Sequence, residues 1–181
     1  MVSITFRLLA LPERGWPRLS ARLDRVEPLP APWRYTCAFG AGVAACTFLG
    51  GLLAPSLSFA QALGHSLIAL VGYCTAPALA HWRFSSSPIS PALPARYQDH
   101  FIAAATLPVI GSGIFNLFPI PTLTILWTLV GALGVSWSAY IGASKLLGLA
   151  GPARKRVAIE LGCFSVITPM AANILRITTL G

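Results

Sequence analysis

Few side chains in this sequence of 181 residues could carry out acid, base or nucleophilic chemistry. The candidates are two carboxylates, three histidines and four cysteines: Asp99, Glu160, His65, His81, His100, Cys37, Cys46, Cys74 and Cys163. No short catalytic motif joins them, since GxSxG, HExxH, a phosphate-binding loop and GxGxxG before a helix are all absent. We therefore expect a protein that is not an enzyme and that has no cofactor.

A metal site is the alternative that these residue types suggest. Seven of them fall near the same level of the predicted helices: Cys37, Cys74, Cys163, His81, Asp99, His100 and Glu160. Thiolate and imidazole suit zinc or copper. Because no two of these residues have a diagnostic ligand spacing, we expect no bound metal.

Two ionisable residues lie within apolar runs, where charge is costly and function is the default hypothesis. Glu160 follows Arg156 by four residues, which predicts an ion pair along one helix. The alternative for Glu160 is that it takes up a proton or a cation. His65, close to Gln61, either relays protons or bonds a neighbouring helix.

The elements that must position these residues follow from the composition, which is 55% apolar and only 10% charged. A soluble domain has roughly 25% charged residues, so lipid must cover part of this chain.

Five apolar runs reach the length that crosses a bilayer as a helix. They are 35–53, 57–82, 101–118, 122–144 and 157 to about 174. The sequence predicts an all-α integral membrane protein, a bundle of five transmembrane helices in residues 35–181. Four spans remain the alternative, with the third run merged into the fourth or re-entrant.

The positive charges indicate an orientation. Of the 13 Lys and Arg residues, 12 fall before the first span or in the second-to-third and fourth-to-fifth loops; Arg176 alone is left over. By the positive-inside rule, the N-terminus is cytoplasmic and the C-terminus periplasmic. The net charge of +8 then follows from this topology, and nucleic acid is not an expected partner. We expect the basic cytoplasmic face to attract anionic lipid head groups.

Residues 1–34 form a cytoplasmic N-terminal segment that is too polar to span. In this segment, arginines 18, 22 and 25 share one helical face, while Leu19, Leu23 and Val26 share the other. We predict an amphipathic helix lying flat on the membrane, with Trp16 at head-group depth. A partly ordered tail is the alternative.

Two stripes of small residues predict where helices meet. One is on the first span and one on the fourth: Ala38, Gly42, Cys46 and Gly50, then Gly134, Ser138 and Gly142. Within lipid, small residues allow the close backbone approach that holds helices together. We expect both stripes to be buried inside the bundle. The alternative is that one of them docks another protein.

The third span and its surroundings resemble a known family. The stretch ATLPVIGSGIFNLFPIP, the later WSAYIGASKLLG and GPARKRVA, and the early LPERGWPRLSARL are similar to the Yip1 family of five-span membrane proteins, particularly its bacterial members. The matching positions in this chain are Trp16, Pro108, Gly113, Asn116, Pro119, Tyr140, Gly142, Pro152 and Lys155. In WSAYIGASKLL the chain departs from the longer aromatic and Leu run of the family.

The resemblance implies a helical bundle with a cytoplasmic N-terminus. Eukaryotic members bind membrane-attached small GTPases and are linked to vesicle traffic, whereas the Ala, Arg, Gly and Pro bias here is typical of bacteria. It therefore points to a scaffold or accessory subunit in the bacterial inner membrane, with another membrane protein or complex as partner. A small-solute or ion transporter or channel is the second hypothesis, with Gln61, His65, Ser112, Asn116 and Asn173 as its polar path.

The third span and the FPIP corner after it form the sharpest structural prediction. We expect Pro108 to bend the helix, Gly113 to admit a neighbour, and Asn116 to bond backbone groups left open before Pro119. These residues would form an elbow that fixes the third span against the fourth.

Overall fold

A computed structural model describes residues 8–25, 31–87, 94–118 and 120–179, and these are helical with short connections. Pro119, residues 1–7 and residues 26–30 of the N-terminal segment lie outside this description. The helices are α1 Pro12–Asp24, α2 Pro32–Leu53, α3 Phe59–Ser85, α4 Ala95–Ser112, α5 Pro121–Lys145 and α6 Gly151–Thr178. A 3₁₀ turn, Gly113–Leu117, extends α4. The predicted all-α fold is confirmed.

Five of these helices, α2 to α6, are long and apolar enough to cross a membrane, which indicates an integral membrane protein. The predicted number of spans is confirmed for the described residues, and the third run is a separate helix. Helices α2, α3, α4 and α6 begin or end about one to two turns beyond the apolar runs that predicted them, since interfacial residues such as Arg34, Arg83 and Arg96 are also helical, whereas α5 exceeds its run by one residue at each end.

The third span, the shortest by its apolar run, is the central helix. With its 3₁₀ extension it is 72% buried, against 33–44% for the other four spans. Helix α4 packs against α2, α3, α5 and α6. At its end, Gly113 is so close to Val43 and Tyr73 that a Cβ would lie 2.6 Å from Val43 Cγ1. Small residues therefore let α4 occupy the middle of the bundle.

The outer surface of the spans is apolar. Leu67, Val71, Leu133 and Ile159 are among the large side chains that are more than half exposed there. Such a continuous apolar exterior is unlike that of a soluble monomer. An exterior of this kind suits contact with the hydrocarbon of a bilayer.

Helix α1 packs on the bundle more closely than the sequence predicted. Its Trp16 is fully buried, lies against Gly142 of α5 and contacts Phe101 of α4 at a ring distance of 5.4 Å. The Tyr97 hydroxyl donates to Asp24 Oδ1 at 2.7 Å, which ties the end of α1 to α4. Protein therefore encloses the indole of Trp16, because a glycine on α5 leaves room for it. Its position at head-group depth stays a prediction.

The bundle has two chemically different ends. We call the end with α1, the starts of α2, α4 and α6 and the ends of α3 and α5 the basic end. The opposite end, with the α2–α3 turn, the α4–α5 corner and the end of α6, is the distal end.

Candidate functional site

The distal end contains a polar cavity of about 170 Å³. It is enclosed by the ends of α2 and α4, the start of α5 and the last two turns of α6, with the α2–α3 turn at its edge. Its polar lining residues come from five segments: Ser56, His65, Asn116, Thr124, Asn173 and Arg176. We call this space the distal cavity. It brings together three of the five residues predicted for a polar path, His65, Asn116 and Asn173.

The other two predicted path residues do not line the distal cavity. Gln61 forms a capping box with Ser58 at the start of α3, which uses its side chain locally. Ser112 donates to the Val109 carbonyl of its own helix at 2.6 Å and packs against Gly131. Both residues therefore serve local structure.

A buried hydrogen-bond network forms the floor of the distal cavity. Asn173 Nδ2 donates to Thr128 Oγ1 at 2.8 Å and to Tyr73 Oη at 3.1 Å. Its Oδ1 accepts from Arg176 Nη1 at 3.1 Å. Asn173, Thr128 and Tyr73 are fully buried, so this network links α3, α5 and α6 through groups that have no access to water.

Arg176, the basic residue left over from the count of positively charged loops, points towards this network. Its guanidinium bonds Asn173, and its buried Nε has no hydrogen-bond partner. Because Asn173 lies three residues earlier on the same helical face, its side-chain oxygen draws the guanidinium inward. A charged group thus lines the distal cavity.

His65 also faces the end of α6, and its contact defines the tautomer of the ring. Its Nε2 lies 3.0 Å from Thr179 Oγ1. The Thr179 hydroxyl is already within 3.0 Å of the Leu175 and Arg176 carbonyls, to which it donates. Because a hydroxyl has one proton, the Thr179 oxygen accepts and His65 Nε2 is the donor. His65 therefore bonds a neighbouring helix, the second of its two predicted roles.

Asn116 makes a different contact from the predicted one. Its Nδ2 donates to Thr47 Oγ1 of α2 at 3.0 Å, and it does not cap backbone groups at the corner. The residue is 1% exposed, and its Oδ1 has no hydrogen-bond partner. The 3₁₀ turn rotates Asn116 towards α2, so it fixes the third span against the first. Pro108 instead contacts Gly134, and this contact joins the third span to the fourth.

The two small-residue stripes differ in their surroundings. On α5, Ser138 is buried, and a Cβ at Gly134 or Gly142 would meet Pro108 or Trp16 within 2.8 Å. Of the two glycines in the α2 stripe, Gly50 packs tightly, against the backbone of Asn116. This α5 stripe lies inside the bundle as expected.

The rest of the α2 stripe is open. Nothing lies within 4 Å of a Cβ placed on Gly42, and Ala38 is exposed. With Cys46 these residues line an apolar groove of about 450 Å³ between α2 and α4. The expectation of a stripe buried along its whole length fails here, because α4 follows α2 closely only at the distal end. We call this surface the α2 groove.

The basic end carries the predicted Glu160–Arg156 pair, with Arg156 Nε 2.8 Å from Glu160 Oε1. The same oxygen accepts from Arg83 Nη2 of α3 at 2.7 Å, a second partner that sequence spacing could not reveal. His81 Nε2 lies 3.0 Å from Asp99 Oδ1. Within the described ranges, no three His, Cys, Asp or Glu residues are placed to hold one metal ion.

The interior between the distal cavity and the basic end is mainly apolar, and its buried Thr106 and Ser165 hydroxyls bond carbonyls of their own helices. Phe101 contacts both Trp16 and Phe84, and all three rings are almost completely buried. Ile102 and Leu107 continue this core along α4. The distal cavity is therefore a pocket lined from one end of the bundle.

Sequence reasoning missed Arg176, Thr128 and Tyr73 as members of the distal network. The usable signal was the spacing of Asn173 and Arg176, three residues apart on one helical face. The contacts with Thr128 and Tyr73 join helices distant in sequence, and no local pattern encodes them.

Comparisons of the chain with protein-family models, curated proteins and solved structures give no match. The resemblance to the Yip1 family therefore stays a prediction.

Proposed function

We propose that the chain is a Yip1-like protein of the bacterial inner membrane, with its basic end in the cytoplasm and its C-terminus in the periplasm. The basic loops support this orientation through the positive-inside rule. Trp33 and Trp82, both more than 60% exposed, lie at the basic end, where amphipathic rings suit a membrane interface. Reporters fused to each terminus should lie on opposite sides of the membrane; reporters on one side would contradict the proposal.

We further propose that the protein is a non-catalytic scaffold or accessory subunit that binds another membrane protein through the α2 groove. The observation that carries this proposal is the open face at Gly42. Elsewhere in the spans, glycines such as Gly72, Gly131 and Gly134 are covered by a neighbouring helix at distances that exclude a Cβ. Gly42 on α2 and Gly64 on α3 have no such neighbour, and Gly42 lines an apolar groove together with Ala38 and Cys46.

The occupant that fits the α2 groove is a transmembrane helix of the partner. The groove is lined by apolar groups, among them Leu9, Phe39, Val43, Ile110 and Ile114. A lipid-exposed helix needs no glycine, whereas a helix partner gains from the closer backbone approach that Gly42 permits. Ala38 and Cys46, one turn to either side of Gly42, extend the small-residue face along α2.

The test is the pair of variants Gly42→Leu and Gly64→Leu. Both glycines are helical, and neither has an atom within 4 Å of its Cβ position, so both variants should fold with unchanged yield. Gly64 lies on α3, outside the α2 groove, and serves as the matched control. Membranes are solubilised in mild detergent, and the proteins recovered with each variant are quantified against the wild type.

We expect one membrane protein to be recovered in stoichiometric amount with the wild type and with Gly64→Leu. Recovery with Gly42→Leu should fall by about tenfold, the effect of losing about 1.4 kcal/mol of binding energy. Equal recovery with both variants would show that the α2 groove faces lipid. Recovery of a second copy of this chain alone would replace the scaffold with a homodimer.

The distal cavity favours a second candidate, a small-solute or ion carrier. The cavity lies between helices and is lined by polar groups from several of them. Ligand sites in helical bundles are found in such positions. For a carrier, Asn116→Leu should abolish flux into liposomes while most of the protein remains folded. For a scaffold, the same variant should lower thermal stability and leave partner recovery unchanged.

A further inference from the structure

The distal end has a positive charge without a counter-charge among the side chains. Arg176 lines the distal cavity, and its contacts are to the uncharged Asn173. Its Nε is buried without a partner. A guanidinium has five N–H donors in a rigid fork, and carboxylate or phosphate oxygens match that geometry.

The acidic residues in the described part of the chain lie towards the basic end: Glu13, Asp24, Asp99 and Glu160. Glu160 is on the same helix as Arg176 but precedes it by 16 residues, or about 24 Å along the helix axis. Its oxygen already accepts from Arg83 and Arg156. Among the described residues, no side-chain carboxylate is therefore placed to neutralise Arg176, and an anion from outside would complete the site.

Asn116 adds a second unfilled position on the wall of the distal cavity. Thr47 Oγ1 donates its proton to the Val43 carbonyl at 2.8 Å, so it accepts from Asn116, and this contact fixes the amide orientation. The acceptor Oδ1 is then the buried atom that lacks a partner. A buried acceptor without a partner indicates a missing donor, which a ligand hydroxyl group can supply.

We propose that the distal cavity binds a phosphate ester that carries a hydroxyl group. The phosphate oxygens accept from the Arg176 guanidinium, and the hydroxyl group donates to Asn116. A space of about 170 Å³ accommodates a group of this size but not a large solute. The apolar residues Ile120 and Ile177 lie at the cavity wall, so the group can belong to a lipid head group or to a soluble ester.

This site is independent of partner binding at the α2 groove. Gly50 is the residue of the α2 stripe that reaches the distal cavity, and Gly42 lies eight residues away along α2, about 12 Å. Failure of the scaffold proposal would leave the anion site untouched. Failure of the anion site would leave partner recovery unchanged.

The experiment measures ligand-dependent stability of the purified full chain in a neutral detergent. Glycerol phosphate and short-chain phosphatidylglycerol are the two probes, since both carry a phosphate ester and a hydroxyl group. Short-chain phosphatidylcholine, which lacks the hydroxyl group, is the control lipid. Arg176→Gln removes the charge, and Arg156→Gln is the matched variant, because it removes an arginine from the same helix at the other end.

We expect phosphatidylglycerol to raise the unfolding temperature in a saturable way for the wild type and for Arg156→Gln. Arg176→Gln should weaken the apparent affinity by at least about tenfold, because a charge-assisted contact is lost. If glycerol phosphate acts as well, the ligand is a soluble ester; if only the lipid acts, it is a head group. No shift with either probe, or equal shifts with phosphatidylcholine, would overturn the proposal.

Arg176→Lys provides the test if Arg176→Gln does not fold. Lysine retains the charge but lacks the two-pronged geometry, so the affinity should fall by a smaller factor than with glutamine. An affinity for phosphatidylglycerol equal to that of the wild type in this variant would also contradict the site.

Discussion

The two ends of the bundle place their polar groups differently. At the basic end, the interior is filled by Trp16, Phe84 and Phe101, and the ion pairs of Glu160 and Asp99 lie at the rim. At the distal end, charges are almost absent from the surface, while amide, hydroxyl and guanidinium groups lie inside. Among the described residues, the ion pairs thus lie at one end, and the hydrogen bonds between buried side chains of different helices lie at the other.

The two ends therefore differ in what their interiors contribute: apolar packing at the basic end and polar groups that line a cavity at the distal end. At the basic end the buried rings are surrounded by protein atoms, although Trp16 Nε1 and Ser87 Oγ are buried there without a hydrogen-bond partner. The distal end also has buried polar atoms that are incompletely bonded, Asn116 Oδ1 and Arg176 Nε, and burying such groups costs free energy. Asn116 and Arg176 line the distal cavity, so a ligand in that cavity would supply the missing contacts.

The largest effect should come from Trp16, which closes the basic end. Trp16→Ala removes a fully buried ring from between Gly142 and Phe101, and a change of this kind costs about 3–5 kcal/mol in a protein core. We expect helix α1 to detach and the unfolding midpoint in sodium dodecyl sulfate to fall. Protease accessibility of residues 12–24 should rise in parallel.

The control for Trp16→Ala is Trp33→Ala. Trp33 is 61% exposed at the start of α2, so its loss should change the midpoint little. If the two variants had equal effects, Trp16 would be an interfacial anchor, as the sequence suggested, and the packed basic end would be disproved.

The next largest effect should come from Asn173 in the distal network. Asn173→Leu removes two hydrogen bonds between helices, to Tyr73 and Thr128, and one within its own helix, to Arg176. Single bonds between transmembrane helices average about 0.6 kcal/mol, so the two interhelical bonds predict a loss of about 1.2 kcal/mol, measured as a shift in the same unfolding midpoint.

Thr75→Val is the matched control for the network. Thr75 is an exposed hydroxyl on α3 that bonds only the Val71 and Gly72 carbonyls of its own helix. Its replacement should leave the midpoint within about 0.5 kcal/mol of the wild type. An equal loss in both variants would mean that the contacts of Asn173 between helices add nothing.

These two ends also differ in how well the sequence predicts them. The five spans follow from apolar runs of fixed length, and the Glu160–Arg156 pair follows from helix spacing. The buried α5 stripe follows from small residues four apart. Each of these signals lies within one helix, so the prediction made from it does not depend on how the helices pack against each other.

The features that were not predicted all depend on how helices are arranged. Trp16 needs Gly142, which is 126 residues away in the chain, and Asn116 needs Thr47 on a different helix. The open face at Gly42 arises because α4 leaves α2 at that level. A single sequence contains no signal for such pairs, since the apolar pattern of a helix shows that it can span a membrane but does not show which other helix it contacts.

The smallest effect should come from Glu160 at the rim of the basic end. Its side chain is 17% exposed and accepts from both Arg83 and Arg156. Glu160→Gln keeps the shape but removes the charge, and ion pairs near the surface contribute about 0.2–1 kcal/mol. We expect a loss at the upper end of that range, with a smaller loss for Asp99→Asn, because both side chains of the Asp99–His81 pair are nearly half exposed.

In 1 M salt the Debye length falls to about 3 Å, so the difference in stability between the two variants should shrink. A salt-independent loss as large as that of Asn173→Leu would contradict the comparison, because polar contacts at the rim would then contribute as much as those inside.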